Sequence, residues 1–269
     1  MYKAVVTDLD GTLLNKEHEI SEFTIKTMQK FIDKGYKLYI ATGRIETGAK
    51  LISEKINRKV PLITTNGARV LDEESNELFS AYLDDFVRDT LVNIDLTKYG
   101  NEIFLNGYSG KNWYVVSEEH LEYYFKRRKD KTYKPYIITT DEFKNKKYNK
   151  IYFIGKYEKL LEIREYLREK ISEYANIDFV SKNSLEIYDK SANKANAAKL
   201  LLERDGIKNE EVISFGDGLN DFKMLSFFDN SYIMNNSLQE LKELLPHKEV
   251  LADSDTDSVA KKIIEIFDL

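Results

Sequence analysis

In Val5-Val6-Thr7-Asp8-Leu9-Asp10-Gly11-Thr12-Leu13-Leu14, an apolar run near the N-terminus ends abruptly in two aspartates and a glycine. Residues 4–6 predict a short buried strand. Because strand side chains alternate between faces, Asp8 and Asp10 lean to the same side, where two carboxylates repel each other unless water or a cation lies between them. An exposed acidic turn is the alternative, since Asp-Gly is a common turn dipeptide. The rest of the chain decides between these interpretations.

The composition limits the class of protein. The chain has 269 residues, enough for one large domain or two smaller ones, and its 42% hydrophobic and 32% charged residues are typical of a soluble globular protein. There are no cysteines, which excludes disulfides and thiolate metal sites. The net charge of −5 argues against general nucleic-acid binding. We find neither an apolar run of about 18 residues nor a secretory signal pattern, so we expect a cytoplasmic protein that does not enter a membrane.

Strand and helix patterns alternate at both ends of the chain. A helix beginning at the N-cap Ser21 and ending at Gly35 precedes predicted strands at 36–41 and 61–65, which flank a helix at 45–56. Residues 13–20 suggest a small flap or hairpin. From residue 191 the alternation returns, with helices at 193–205, 238–245 and 256–267 and strands at 212–215 and 232–234. This order predicts a doubly wound, Rossmann-like α/β core with a parallel sheet.

The amino-acid composition changes between these two segments. Of the 18 tyrosines, 13 lie between Tyr99 and Tyr188, together with the single tryptophan. We predict a helix at 84–99, strands at 102–116, a helix at 119–129, a strand at 149–155, a helix at 157–172 and strands at 176–188. The chain is therefore divided into a discontinuous core, 1–83 and 190–269, and an inserted α/β domain, 84–189.

Small and polar residues follow the predicted core strands. In an open parallel sheet, ligands bind beyond the carboxyl ends of the strands, so these residues converge on one crevice. The first strand contributes two aspartates, the second and third contribute threonine, glycine and asparagine, and the strand at 212–215 contributes two more aspartates. The candidate residues are Asp8, Asp10, Thr42, Gly43, Asn66, Lys194, Asp217, Asn220 and Asp221.

The chemistry of this set points to phosphate. Four carboxylates in one place require a cation, and a shell made only of oxygen suits Mg²⁺, which commonly binds few carboxylates together with waters and substrate phosphate. Thr42 offers a hydroxyl to phosphate oxygens and Lys194 offers a positive charge. Since a carboxylate is ionised at neutral pH, Asp8 needs no base to attack phosphorus, and an aspartyl-phosphate would result.

The chain resembles the haloacid dehalogenase (HAD) phosphatase superfamily. Four segments match its motifs in order, namely Asp8-Leu9-Asp10-Gly11-Thr12, Thr42-Gly43-Arg44, Lys194 and Gly216-Asp217-Gly218-Leu219-Asn220-Asp221. The insertion between the second and third motifs, with Asn66-Gly67-Ala68 ahead of it, is similar to the Cof-type group, subfamily IIB. The resemblance spans essentially the whole chain.

This resemblance implies a role for each acid. Asp8 would be the nucleophile, and Asp10 would protonate the leaving oxygen and then take a proton from the hydrolytic water. Asp8 and Asp217, with the backbone carbonyl of Asp10, would hold Mg²⁺, and Asp221 would support that shell. The remaining motif residues would contact the phosphate or line the substrate side, namely Thr42, Gly43, Lys194 and Asn220 for the phosphate and Arg44 and Asn66 for the substrate.

The resemblance also implies a substrate class. We expect a Mg²⁺-dependent phosphatase that hydrolyses phosphate monoesters of small metabolites, with sugar phosphates as one option, while the inserted cap domain selects the substrate and excludes water. Two alternatives stay open: a phosphomutase or phosphotransferase using the same aspartyl-phosphate, and a non-enzymatic phosphometabolite sensor. No obligate protein partner is evident. The basic run at 126–129 is either a solvated face or a funnel for anionic substrate.

Overall fold

The computed structural model describes residues 1–100, 102–127 and 134–269, and of 123–127 it describes the backbone. These residues form two compact units, one of Met1–Phe79 with Asn193–Leu269 and one of Ser80–Ala192. The basic run at 126–129 lies outside the described residues, apart from the backbone of its first two positions. No helix in the described ranges is both long and apolar enough to span a bilayer.

The first segment alternates strand and helix as predicted. Its elements are β1 (Ala4–Thr7), α1 (Glu22–Asp33), β2 (Lys37–Ala41), α2 (Glu46–Ile56), β3 (Leu62–Thr64), β4 (Arg69–Leu71) and β5 (Glu77–Ser80). Ser21 caps α1 by accepting a hydrogen bond from the Thr24 amide, which confirms the predicted start. Residues 14–20 form a loop closed by a hydrogen bond from the Asn15 amide to the Glu19 carbonyl, and no strand is assigned there.

The second unit differs from its prediction in two places. Its elements are α3 (Asp85–Val92), β6 (Phe104–Ser109), β7 (Asn112–Val115), α4 (Glu118–Arg127), β8 (Tyr136–Ile137), α5 (Thr140–Lys144), β9 (Lys150–Ile154), α6 (Tyr157–Ile171), β10 (Ala175–Ser181) and β11 (Ser184–Asp189). The single helix predicted at 84–99 is wrong, because α3 ends at Val92 and Asp95 starts a separate 3₁₀ turn by accepting from the Thr97 amide. The short elements β8 and α5 were not predicted, since two to five residues show no periodicity.

The last segment returns to the first unit. It contains α7 (Lys194–Asp205), β12 (Val212–Gly216), α8 (Phe222–Phe227), β13 (Asn230–Met234), α9 (Gln239–Leu244), β14 (Glu249–Leu251) and α10 (Ser258–Phe267). Gly206 ends α7 in the left-handed conformation that favours glycine. The predicted alternation of strand and helix is confirmed here.

The sheet of the first unit places β1 at its centre. Over the described residues its strand order is β14-β13-β12-β1-β2-β3-β4-β5, parallel from β14 to β3 and antiparallel between β3 and β4. Thr7 pairs with Phe215 and with Ile40, so β1, β12 and β2 end side by side. The residues that follow these three strands are brought together at one edge.

Both faces of this sheet are covered. Val5 of β1 packs in a cluster with Met28 of α1 and Ile263 of α10. Its neighbour Val6 points the other way and packs with Leu201 of α7, in a second cluster. Burial on both faces explains why β1 is continuously apolar, as parallel strands are. The predicted doubly wound α/β core is confirmed.

The second unit has a mostly antiparallel sheet. Its described strands follow the order β10-β11-β9-β6-β7-β8, and among these pairs β7 and β8 are parallel. One face packs on α3 and α6 through buried Leu105, Ile151 and Leu167. Aromatic residues line the sheet elsewhere, as in the stacked rings of Tyr108 and Tyr152, whose centroids are 5.2 Å apart.

Candidate active site

The site begins where β1 ends. The backbone amide of Asp8 still bonds to the carbonyl of Phe215 in β12, at 3.0 Å, so Asp8 is the last residue tied to the sheet. After it the chain makes a single wide turn, Leu9–Leu13, in which Gly11 has φ +77°. Asp8 is 5% exposed. A parallel strand thus ends by burying a carboxylate at the edge of the sheet.

Lys194 is buried between two carboxylates. It is the first residue of α7, which begins at the N-cap Asn193. Its Nζ lies 2.5 Å from Asp8 Oδ1 and 2.5 Å from Asp221 Oδ1, and the side chain is fully buried. Burial lowers the pKa of Lys194, but the two neighbouring carboxylates outweigh it and raise that pKa above its usual range. The ammonium therefore stays charged.

Three carboxylates form one cluster. Asp8, Asp217 and Asp221 each offer an oxygen, and these oxygens all lie within 4.8 Å of one another. Asp221 Oδ2 also accepts the backbone amides of Asp217 and Gly218, at 3.0 and 2.9 Å. Thr12 donates its hydroxyl to Asp217 Oδ1 at 2.8 Å. The loops after β1 and β12 are therefore bonded to each other around the cluster.

Gly11 permits this close approach. A Cβ at residue 11 would lie 2.3 Å from Asp217 Oδ2, closer than any side chain tolerates. Its positive φ is also a conformation that glycine adopts without strain. The glycine that follows the acid pair is thus required by the contact between the two loops.

The cluster is short of positive charge. Burial raises the pKa of Asp8, helped by Asp221 and Asp217 and opposed by Lys194. Burial, and then the nearby Asp221 carboxylate, raise the pKa of Asp217 to about 7. Among the described residues, the ammonium bonded within this cluster is that of Lys194, which contacts Asp8 and Asp221. Three carboxylate oxygens so close together, with one cation, are a donor set that suits a hard divalent metal ion.

Asp10 lies in a different environment. Its carboxylate accepts two hydrogen bonds from Arg44, from Nε to Oδ2 at 2.7 Å and from Nη2 to Oδ1 at 2.5 Å. His18 Nδ1 lies 2.7 Å from Asp10 Oδ1. Burial raises the pKa of Asp10, but the hydrogen bonds from Arg44 and then from His18 outweigh it, so the pKa is lowered. The side chain is 38% exposed.

Thr42 and Asn66 connect the ends of β2 and β3. Thr42 is 1% exposed and its hydroxyl accepts the Arg44 amide at 3.0 Å. Asn66, with φ +56°, donates its amide to the Thr42 carbonyl, and its Oδ1 accepts Asn220 Nδ2 at 3.0 Å. A Cβ on Gly43 would lie 2.9 Å from that Oδ1. These residues form a continuous polar edge that reaches the loop after β12.

In the structure the predicted residues fall into three groups. Asp8, Lys194, Asp217 and Asp221 are in one cluster, Asp10 is bonded to Arg44, and Thr42, Gly43, Asn66 and Asn220 line the polar edge. Two residues in contact with the acids were not singled out from the sequence. Thr12 belongs to the first motif and could have been found there. His18 lies in a loop without periodicity, and no sequence signal marks it.

Comparison with known proteins agrees with this geometry. A family model described as haloacid dehalogenase-like hydrolase matches residues 5–263. A Buchnera aphidicola (subsp. Baizongia pistaciae) protein named "Putative phosphatase" is 35% identical and covers 99% of each chain. The "HMP-PP phosphatase" of Serratia proteamaculans is 28% identical over 97% of this chain and 93% of its own.

The fold is similar to that of solved structures of the same family. A haloacid dehalogenase-like hydrolase from Bacteroides thetaiotaomicron superposes with a TM-score of 0.84 at 23% identity, over 99% of this chain and all of its own, which is evidence for the fold alone. The match of the family model over nearly the whole chain, together with the phosphatase relatives, confirms the resemblance inferred from the four motifs. The chain belongs to the haloacid dehalogenase-like hydrolase family and is a phosphatase.

Proposed function

We propose that this phosphatase is Mg²⁺-dependent and hydrolyses phosphate monoesters of small metabolites through an aspartyl-phosphate on Asp8. The observation that carries the proposal is the cluster of Asp8, Asp217 and Asp221, in which the buried Lys194 ammonium bonds Asp8 and Asp221. It combines a nucleophile, an excess of oxygen ligands and a fixed positive charge. Asp10, the second acid of the first motif, lies outside this cluster and is bonded to Arg44.

Mg²⁺ is the cation we assign to the cluster. Asp8 and Asp217, with the backbone carbonyl of Asp10, would hold it, and Asp221 would support the shell while bonding the amides of Asp217 and Gly218. Bound there, Mg²⁺ supplies charge that stabilises the phosphate oxygens and keeps the buried carboxylates ionised. Oxygen ligands alone favour Mg²⁺ over softer metals.

The first step forms a bond from Asp8 to phosphorus. The Asp8 carboxylate oxygen attacks, and the bond between phosphorus and the ester oxygen breaks. The leaving oxygen takes a proton from Asp10, so Asp10, whose pKa is lowered by Arg44 and His18, must take up a proton before the substrate reacts. Lys194 stabilises the negative charge on the transferred phosphoryl group, and its buried position holds it next to Asp8.

The second step restores the enzyme. Asp10, now ionised, removes a proton from a water molecule that attacks phosphorus. The bond between phosphorus and Asp8 breaks, inorganic phosphate leaves, and Asp10 is protonated again for the next turnover. An acid at residue 10 is the reason that we expect turnover and not a long-lived phosphoenzyme.

The polar edge, together with Lys194, would bind the phosphate and the adjoining part of the substrate. We assign Thr42, Gly43, Lys194 and Asn220 to the phosphate, and Arg44 and Asn66 to the substrate side. The bonds from Asn220 to Asn66 and from Arg44 to Thr42 support a preorganised edge. The second unit, Ser80–Ala192, is proposed to be the cap that selects the metabolite, the role expected from the sequence for residues 84–189.

The substrate class is a small phosphorylated metabolite, with sugar phosphates as the first candidates. The Serratia relative is named for HMP-PP, which makes HMP-PP a second candidate to compare directly with them. The catalytic residues act on the phosphoryl group alone, so the second unit would decide between these candidates.

The test is phosphate release from p-nitrophenyl phosphate, with Mg²⁺ or with EDTA, for wild type and Asp8→Asn. We expect release that requires Mg²⁺ and that falls on the order of 10⁴-fold or more in Asp8→Asn, since the amide cannot attack phosphorus. Asp229→Asn, an exposed position of the same unit, is the matched control and should behave as wild type. Full activity in EDTA would exclude the metal, and activity in Asp8→Asn would exclude the nucleophile.

The same assay tests the class of reaction. Sugar phosphates and HMP-PP are then offered as substrates, and free phosphate is measured beside any phosphorylated product. Transfer to a second hydroxyl of the substrate without release of phosphate would show a phosphomutase and contradict the proposed hydrolysis.

A further inference from the structure

The Asp10 carboxylate is held from two sides, and the residue on the second side has no role in the mechanism so far. Arg44 bonds both oxygens from the end of β2. His18, in the loop before α1, places Nδ1 at 2.7 Å from Oδ1. When Asp10 is ionised, as it is once its proton has passed to the leaving oxygen, its carboxylate only accepts hydrogen bonds, so the donor is His18 in the tautomer with the hydrogen on Nδ1.

The loop that carries His18 is built from local hydrogen bonds. The His18 amide donates to the Asn15 carbonyl at 2.9 Å. Asn15 Oδ1 accepts the amides of Glu17 and Glu19, at 3.1 and 2.9 Å. His18 has φ +60°, which is uncommon for a residue with a side chain and persists where surrounding bonds hold it. The loop thus fixes the direction in which the imidazole projects.

Distant residues anchor the same loop. The Lys16 amide donates to Asp255 Oδ1 at 2.7 Å, and the Lys16 ammonium lies 3.4 Å from Asp255 Oδ2. Leu14 and Ile20, at the two ends of the loop, are buried in the core of the unit. A loop with buried ends and an anchored middle does not move freely, although the His18 side chain is itself 69% exposed.

A second support has a purpose that Arg44 cannot serve alone. Asp10 must reach the leaving oxygen in one step and a water molecule in the next, so a small error in its direction costs rate in both. Arg44 is charged and is assigned to the substrate side, where an anionic substrate competes for its guanidinium. A hydrogen bond from an imidazole holds the carboxylate without attracting the phosphate as strongly.

We propose that His18 is a positioning residue, which orients the Asp10 carboxylate for proton transfer by a hydrogen bond from Nδ1. This inference rests on the acid–base role proposed for Asp10. His18 itself transfers no proton and touches no reacting atom. Its loop, through Asn15 and the anchor at Asp255, supplies the rigidity that the hydrogen bond requires.

The test compares His18→Ala with His18→Asn on an alkyl phosphate that the enzyme hydrolyses. We expect His18→Ala to lower kcat about ten- to a hundredfold with little change in KM, because substrate binding is untouched and the direction of Asp10 is lost. The asparagine amide nitrogen can take the place of Nδ1, so His18→Asn should recover most of the loss. His247→Ala, another exposed histidine of this unit, is the control and should keep the kcat of wild type.

Each other outcome has a definite meaning. Wild-type kcat in His18→Ala, while Asp10→Asn is impaired, would overturn the positioning role and leave the proposed function standing. Normal turnover in Asp10→Asn would instead overturn the acid–base role on which this inference rests. A raised KM with unchanged kcat would make His18 a substrate contact, and equal loss in His18→Ala and His18→Asn would exclude the Nδ1 bond as the cause.

A double variant separates orientation from stability. If His18 acts through Asp10, His18→Ala should cost little further activity in the Asp10→Asn background. Equal costs in both backgrounds would overturn the proposal. Thermal unfolding of each variant, expected to stay close to wild type because the side chain is exposed, excludes a general loss of structure as the explanation.

Discussion

Asp8 and Asp10 are two residues apart and occupy opposite environments. Asp8 is buried beside Asp217 and Asp221, and burial raises its pKa. Asp10 is 38% exposed and accepts hydrogen bonds from Arg44 and His18, which lower its pKa in spite of burial. One carboxylate thus lies among other acids, and the other is bonded to a cation and an imidazole.

Two aspartates can thus serve two different tasks because their surroundings differ. The pKa shifts by themselves do not assign the proposed roles, because an ionised nucleophile requires a lowered pKa and a proton donor a raised one. The cation proposed for the cluster would keep Asp8 ionised. At Asp8 the excess of negative charge calls for a cation, which also suits a site that binds phosphate. At Asp10 the donors fix the direction of the side chain instead. Substitutions in each environment show whether the two are independent.

The largest effect is expected where the Asp8 environment is broken. Lys194→Met removes the ammonium from between Asp8 and Asp221 and leaves two buried carboxylates without it. We expect unfolding free energy to fall by about 3–5 kcal/mol, and activity to fall about 10²- to 10³-fold. Chemical denaturation and phosphate release measure the two effects.

The control is on the same helix. Lys199→Met changes an ammonium that is 59% exposed and 3.8 Å from Glu203, so both quantities should stay near wild type. Equal losses in Lys194→Met and Lys199→Met would contradict a special role for the contacts of Lys194 with Asp8 and Asp221. The loss would then be a general effect of removing a lysine from this helix.

A smaller effect is expected at Asp10. Asp10→Asn keeps the shape of the side chain and removes its acid–base chemistry, so turnover should fall on the order of 10²-fold or more while substrate still binds. Turnover is measured by the release of phosphate, and substrate binding is measured by titration with a slowly hydrolysed substrate. Near-normal turnover would remove Asp10 from the acid–base role and leave its contacts with Arg44 as structural.

The smallest effect is on stability, and it tests the two acids directly. A ligand that binds only the folded state at ten times its Kd adds about 1.4 kcal/mol. We expect Mg²⁺ to raise the melting temperature of wild type and of Asp10→Asn alike, because the Asp10 side chain lies outside the cluster. In Asp217→Asn the increase should be lost.

The outcome of that measurement is clear in either direction. An equal increase in Asp217→Asn would place the metal elsewhere and contradict the assignment of the cluster. Loss of the increase in Asp10→Asn would show that the two environments are coupled, and the comparison between Asp8 and Asp10 would then have to be abandoned.

Much of the fold followed from patterns in the sequence. The alternation of apolar strands and amphipathic helices predicted the doubly wound core, and the cap at Ser21 was visible in the residue types. The break of the helix predicted at 84–99 was not visible in the sequence. It occurs where the Asp95 side chain accepts the Thr97 amide hydrogen in place of a helical carbonyl, and an aspartate inside a helix pattern does not show which of the two bonds will form. The two-residue strand β8 exists by pairing with β7 and has no pattern of its own.

Local patterns were enough to predict the order of strands and helices and the types of residue at the strand ends, because periodicity and turn chemistry are local properties of the chain. Which of those residues touch depends instead on how the strands and loops pack. The pairing of Lys194 with Asp8 spans 186 positions, and that of Thr12 with Asp217 spans 205. The bond from His18 to Asp10 spans eight, yet it depends on the left-handed backbone of a loop. Such contacts arise from the packing of the sheet and its loops, and no local pattern encodes them.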